Sequence, residues 1–267
     1  MVEEYRKGAR INELLRRYNF STKKSIIDKV KKYYPNNFED IIKEARNNRK
    51  DYSIDLKVID SEFKAYLIGL LLTDGYIHTD NSFGIQMTDE DVIQFIAKTL
   101  NAEYHTYYYD PPKLPEHRII IYDCDQVGNL KRYGIVKNKS YIIPAPNLLK
   151  EEEKYLPYLI RGIIDGDGCI YKTTKNTVAF YICTMSFEFA CWIKSILEDR
   201  FFMKDIKLNQ TKTGLWCVET ALVTNIMKLI ALVYEKPFGM SRKYNRLREM
   251  FRDYNKGNQQ DVIVNVG

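Results

Sequence analysis

Long apolar runs are absent from this sequence. The longest strongly apolar stretch, Leu67 to Leu72, falls far short of the roughly 20 residues a bilayer-spanning helix needs, so no membrane segment is expected. No apolar run follows the opening Met1-Val2-Glu3-Glu4, and a secretory signal is not expected either. Glycine and proline are scarce, at 13 and 8 of 267 residues, which excludes collagenous and low-complexity chains. The three histidines, His78, His105 and His117, lack the local spacing of a zinc cluster. No GxxxxGK[ST] loop is present, so an NTP-driven enzyme is disfavoured. Five cysteines are scattered without a CxxC pair. Cys169, Cys183, Cys191 and Cys217 lie in apolar surroundings, which predicts buried, reduced thiols. The expected location is therefore an intracellular reducing compartment, cytoplasm or nucleoid.

What is present describes a globular protein, with 45% hydrophobic and 28% charged residues. The net charge of +6 is unevenly placed. Residues 1–50 hold 14 Lys plus Arg against 7 Asp plus Glu, leaving the remainder near neutrality. Five further basic residues lie between Lys236 and Arg248. Such patches suit a polyanion such as nucleic acid, although many basic surfaces are merely solvated. The 21 tyrosines fill core positions for the most part, with a few available for stacking or phosphate contacts.

The chain begins with short helical patterns. Ile11, Leu14, Leu15 and Tyr18 recur at helical spacing, and Ser21 is placed to cap a second, basic helix carrying Ile26, Ile27 and Val30. Helix, tight turn and basic helix match a helix-turn-helix unit, with plain packing helices as the alternative. Glu44 to Asp55 has linker composition.

Beyond the linker the chain repeats itself. In residues 62–99, an apolar helix ends in Thr73-Asp74-Gly75, alternating strands span Tyr76 to Met87, and a helix starts near Asp89 behind a Thr88 cap. In residues 156–198, an apolar helix ends in Gly166-Asp167-Gly168, strands span Cys169 to Thr184, and a helix starts near Phe187 behind a Ser186 cap. Later strands at Arg118–Tyr122 and Leu215–Glu219 precede helices at Asp125–Tyr133 and Ala221–Tyr234. Each copy thus reads α, two strands, α, two strands, α. The Asp-Gly turns are offset by 93 residues (167 minus 74). Such duplication implies pseudo-twofold symmetry.

Gly69 and Thr73 are four apart, as are Gly162 and Gly166. Small residues at that interval form a narrow face on which two helices pack closely, bringing their carboxyl ends together. Asp74 and Asp167 would then meet. Two carboxylates at helix C-termini repel each other and gain nothing from the helix dipole, whereas a bound cation relieves the repulsion. Oxygen ligands suit Mg²⁺, with Mn²⁺ as a substitute. A single Asp-Gly is explained by helix closure alone; two copies with matching glycine spacing point to a metal site.

The segments Leu67-Ile68-Gly69-Leu70-Leu71-Leu72-Thr73-Asp74-Gly75 and Ile160-Arg161-Gly162-Ile163-Ile164-Asp165-Gly166-Asp167-Gly168 resemble the two signature repeats of the LAGLIDADG homing endonucleases, in the two-repeat, single-chain branch. The resemblance spans residues 58–250. It implies an α+β fold in which two pseudo-symmetric αββαββα repeats form paired saddle-shaped antiparallel sheets, here with a small helical N-terminal extension. It further implies a magnesium-dependent hydrolase that cuts both strands of a long double-stranded DNA target in intron homing. Asp74 and Asp167 become the metal ligands. Leu72 departs from the acidic residue common at that place, while Asp165, its counterpart, reads as a helix-end or structural group. Lys139, Lys243 and Gln86 are the best matches to the family's peripheral catalytic residues, with solvated surface lysines as the alternative for the first two. Gln86 aligns with Thr184 by helix cap, so the half-sites would be chemically unequal. Base-reading strands are consistent with the alternation of Tyr76, His78, Ser82 and Gln86. Lys172, Lys175, Arg242, Lys243 and Arg246 complete the expected DNA-binding set.

Three segments are expected: a helical extension and linker at 1–55, a first repeat at 56–150 and a second at 151–267. One chain supplies both repeats, so a monomer is expected. Residues 1–50 are expected to clamp flanking DNA. An intron RNA maturase and a non-catalytic DNA-binding regulator on the same scaffold are the alternatives. An intein is not expected, because no catalytic Cys or Ser opens the chain and no His-Asn closes it.

Overall fold

A computed structural model describes residues 1–9, 11–48, 54–174 and 177–264, with only the helical backbone described for 253–264. Two compact units emerge. One comprises Met1–Ile54 with Leu100–Ala102, the other Asp55–Thr99 with Glu103–Gly267.

The first unit contains α1 (Val2–Arg6), α2 (Ile11–Arg17), α3 (Lys23–Tyr33) and α4 (Phe38–Asn48). Tyr5, Leu14, Ile26, Val30, Ile41 and Ala45 form its core. The cap of α3 is Thr22 rather than Ser21: its side chain accepts the amide of Ser25. Asn19 takes a left-handed φ of 53° in the turn between α2 and α3, a conformation Asn tolerates better than most residues. Glu44–Asn48, expected as the start of a linker, is the last part of α4. Residues 49–53 lie outside the described residues.

In the second unit the elements are α5 (Glu62–Thr73), β1 (Gly75–Thr79), β2 (Ser82–Met87), α6 (Glu90–Leu100), β3 (Tyr104–Tyr107), β4 (Glu116–Tyr122) and α7 (Cys124–Leu130). They are followed by α8 (Leu156–Asp167), β5 (Gly168–Lys172), β6 (Val178–Thr184), α9 (Phe187–Ser195), β7 (Lys207–Gln210), β8 (Trp216–Thr220), α10 (Val223–Lys228) and α11 (Ser241–Val264). This is αββαββα twice. The strands make two four-stranded antiparallel sheets of order β1-β2-β4-β3 and β5-β6-β8-β7. β3 and β7 are short and weakly patterned, so the sequence reading counted a second strand pair in each copy without placing these two strands. Helix α6 begins at Glu90, so Asp89 rather than Thr88 precedes it. Ser186 does cap α9, accepting the amide of Phe189.

Apolar alternation sets the sheet orientation. Phe83, Ile85, Ile119 and Ile121 are buried on one face of the first sheet; Phe180, Ile182 and Val218 are their equivalents in the second. Helix α5 is buried from Ala65 to Leu72 on every side, as its apolar sequence demands. Ser61 caps it by accepting the amide of Lys64.

Candidate functional site

Helices α5 and α8 touch backbone to backbone. A Cβ on Gly69 would lie 2.2 Å from the carbonyl oxygen of Leu159, and one on Gly162 would lie 2.2 Å from that of Tyr66. No side chain fits there, so the two glycines set the distance of approach. At the carboxyl ends, a Cβ on Gly166 would fall 2.0 Å from Thr73 Oγ1 and 2.9 Å from Asp74 Oδ2. Asp74 therefore lies against the last turn of the opposite helix, with Asp167 ending that helix.

This crowding governs the carboxylates. Burial, and then the charge of Asp167, push Asp74 up to about 6, against the opposing pull of Lys243 and Lys139. Asp167 is raised by burial, again opposed by Lys139 and Lys243, although its side chain keeps an open path to solvent. Among the described residues, no group of three or more His, Cys, Asp or Glu side chains is arranged to hold a metal ion. The protein would contribute two carboxylates, and the remaining ligands would come from water and substrate oxygens.

Lys139 and Lys243 are not solvated surface lysines; both are buried. Lys139 Nζ donates to the carbonyl oxygens of Thr73 (2.9 Å) and Gly75 (2.6 Å), closing the end of α5. Lys243 Nζ donates to those of Ile164 (2.7 Å), Asp165 (2.6 Å) and Gly166 (3.1 Å), closing the end of α8. A cation at each carboxyl terminus satisfies orphan carbonyls and opposes the negative end of the dipole. Burial lowers both ammonium pKa values; the carboxylates Asp167 and Asp74 pull Lys139 back up, and Asp165 and Asp74 do the same for Lys243.

Asp165 is fully buried and has its acceptor sites occupied. It accepts from Tyr66 Oη (3.0 Å), Tyr234 Oη (2.9 Å), the Met240 amide (2.9 Å) and Arg161 Nε (3.1 Å). The Arg161 guanidinium lies 3.7 Å from the Tyr234 ring centroid. This closed network ties α8 to the segment leading into α11 and leaves Asp165 a structural group. The equivalent positions 93 residues earlier are Leu72 and Ile68, so the first repeat replaces the buried ion pair with apolar packing.

The expected reading residues share a sheet face less evenly than their spacing predicts. His78 is exposed on β1, its ring 6.3 Å from that of Tyr76. Tyr76 covers Gly84, where a Cβ would be 3.0 Å from the tyrosine hydroxyl. Ser82 is buried, its hydroxyl 2.6 Å from that of Thr79 across the hairpin turn. Gln86 is held between Glu116 and Arg118. Lys172 is exposed at the end of β5, and Arg246 is exposed on α11. Arg242 forms a two-pronged bond to Asp89, at 2.9 and 3.0 Å, joining the start of α11 to the start of α6. Lys175 lies outside the described residues. Sequence reasoning missed Arg118 and Tyr107 on the same outer face; the alternation of Glu116, Arg118, Ile120 and Tyr122 was the available signal.

Two sequence expectations are corrected. Gly75 pairs with Ile85 and Gly168 with Ile182, so the strands correspond at an offset that makes Cys183, not Thr184, the counterpart of Gln86. Thr184 is buried, accepting the Ser186 amide. Second, Cys183 and Cys217 form a disulfide rather than two reduced thiols. They are 34 residues apart in sequence but direct partners where β6 pairs with β8. This bond overturns the expected purely reducing location. The remaining thiols are not deeply buried either: Cys124 is exposed, and Cys169 and Cys191 are half-buried.

No family model and no curated protein matches the sequence. Solved structures do match. The LAGLIDADG homing endonuclease I-GzeII in complex with its DNA target aligns with a TM-score of 0.51 at 12% identity, over 78% of this chain and 92% of that one. The LAGLIDADG meganuclease I-AabMI bound to uncleaved DNA aligns with a TM-score of 0.49 at 13% identity, over 73% of this chain and 91% of that one.

Proposed function

The chain has the LAGLIDADG fold, and we propose that it is a site-specific homing endonuclease hydrolysing both strands of a long double-stranded DNA target. One observation carries this reading: tight packing of α5 on α8 sets Asp74 against the end of the opposite helix, where burial, and then the charge of Asp167, raise its pKa. Carboxylates crowded without compensating hydrogen bonds weaken a fold unless they have work to do.

The donor set fits a hard divalent cation, Mg²⁺ or Mn²⁺, held by Asp74 and Asp167. Its oxygens are hard ligands, and its ionised form needs positive charge. Such a cation would polarise a water and stabilise charge on the transferring phosphate. The chain's own groups do the rest. Lys139 and Lys243 hold the two helix ends in place and keep positive charge beside the aspartates. The outer sheet faces would present His78 and Arg118 to base edges. The segments 1–55, 56–150 and 151–267 act as extension, first repeat and second repeat, and a monomer suffices because both half-sites come from one chain.

The test is cleavage of a randomised duplex library, supplemented with DNA from the gene's own locus, in Mg²⁺. Wild-type protein should make double-strand breaks at one long recurring sequence, and Asp74→Asn and Asp167→Asn should abolish them. Tight duplex binding without metal-dependent cleavage would reject the nuclease in favour of a regulator, and RNA binding without duplex binding would favour a maturase.

A further inference from the structure

The two sheets are related by pseudo-symmetry, yet at one matched position their outer faces carry opposite chemistry. On the first sheet Gln86 pairs with Arg118, and Arg118 pairs with His105. On the second the same row is Cys183, Cys217 and Asn209. An amide–guanidinium pair in one repeat is a disulfide in the other.

Arg118 is built into place. Its Nε donates to Gln86 Oε1 at 2.7 Å, and its guanidinium lies 4.7 Å from the Tyr107 ring centroid. The Gln86 amide in turn donates to Glu116, which also accepts from Tyr109 Oη at 3.0 Å. Gln86 is thereby oriented with its oxygen towards the arginine. Holding the guanidinium by Nε and by one ring leaves its terminal amino groups without a hydrogen bond among the described residues. A planar fork fixed in this way matches the O6 and N7 acceptors of guanine.

Among the described residues the second sheet offers nothing comparable in this row. A disulfide has no hydrogen to donate and only weak acceptor capacity. Its strand neighbour Asn209 already donates its amide to Glu219, at 3.0 Å. Tyr181, two residues before Cys183, is engaged with Cys169, which raises its hydroxyl pKa. Among the described residues the row is uncharged and has no cation poised over it.

We infer that Arg118, positioned by Gln86 and Glu116, specifies a guanine in one half-site, whereas the Cys183–Cys217 disulfide leaves the mirror-related base pair unread. This rests on the proposed DNA-binding role of the outer faces. The target is then asymmetric at a position where the fold is symmetric. Gln86 acts as a positioning residue for Arg118, and the disulfide is a specificity device as well as a cross-link.

Binding selection from a randomised duplex library, without divalent metal and without reductant, tests this on the intact chain. The recovered sites should hold an invariant guanine in one half and no preference at the mirror position. Arg118→Gln should relax that position alone, by roughly ten- to a hundredfold in relative affinity. Gln86→Ala should relax it partly. The double replacement Cys183→Gln with Cys217→Arg should create a preference at the mirror position. Equal preference at both positions in the wild-type protein would overturn the inference, and needs no variant to fold. So would an Arg118→Gln protein with unchanged base preferences. Enrichment of no duplex at all would instead remove the DNA-binding reading on which the inference stands.

Discussion

Replacing Asp74 by Asn should stabilise the metal-free protein while abolishing the proposed DNA cleavage. Burial and the neighbouring charge of Asp167 raise the Asp74 carboxyl from 3.8 to about 6. A carboxyl raised in the folded state binds more protons there than in the unfolded chain. Stability must therefore fall as pH rises between about 4 and 6, and the full deficit persists above that window. Each pH unit of difference corresponds to about 1.4 kcal/mol, so the ceiling is on the order of 3 kcal/mol. Residual solvent around the half-buried side chain brings the expectation to about 1–2 kcal/mol. Lys139 and Lys243 oppose the shift and Asp89 adds to it, and all three are already reflected in its direction. The amide of Asn removes the charge at nearly constant volume. In EDTA at pH 8, Asp74→Asn should thus melt several degrees above wild type, at about 2–4 °C per kcal/mol for a chain of this size. The gap should close near pH 4, where wild-type Asp74 is protonated. Magnesium should raise the wild-type midpoint at pH 8 and leave the variant where it was. Calorimetric melts across this pH range, with and without Mg²⁺, decide the matter. A variant no more stable than wild type at pH 8, or a gap that ignores pH, would refute the electrostatic account of the site.

Two further outcomes follow from the packing. Gly162→Ala places a methyl group 2.2 Å from the carbonyl oxygen of Tyr66, so the helices must separate; a loss of about 3 kcal/mol or more is expected in urea denaturation. Because that separation also moves Asp74, any folded remainder should bind Mg²⁺ more weakly. Reducing the Cys183–Cys217 bond frees a 34-residue separation and should cost about 3–4 kcal/mol in the chain-entropy model. Equilibrium unfolding with and without reductant reads this directly, and a Cys183→Ser, Cys217→Ser variant should match the reduced protein and ignore the reductant.

The sheet faces also show why one half of the molecule cannot be inferred from the other. Gln86 and Cys183 occupy equivalent places, and neither residue alone announces its partner. Arg118 lies 32 positions beyond Gln86, and Cys217 lies 34 beyond Cys183. Strand order decides both pairings, because the third strand in sequence is placed at the sheet edge and the fourth beside the second. The same reason explains why the cysteines, scattered along the chain, read as reduced thiols.

What the sequence determined by itself was local and periodic. Apolar helices ending in Asp-Gly, alternation at period two, and the doubled spacing of Gly69 with Thr73 and Gly162 with Gly166 are written in neighbouring residues. Backbone geometry converts such patterns into elements with little help from elsewhere. Tertiary structure decided what those elements mean to one another. It buried Lys139 and Lys243 under helix ends far from them in the chain, closed Asp165 inside a ring of donors, and took Arg242 to Asp89. It also made a disulfide of Cys183 and Cys217. Each of these depends on which surfaces meet after the apolar faces are buried, and contact across such distances leaves no mark in local composition.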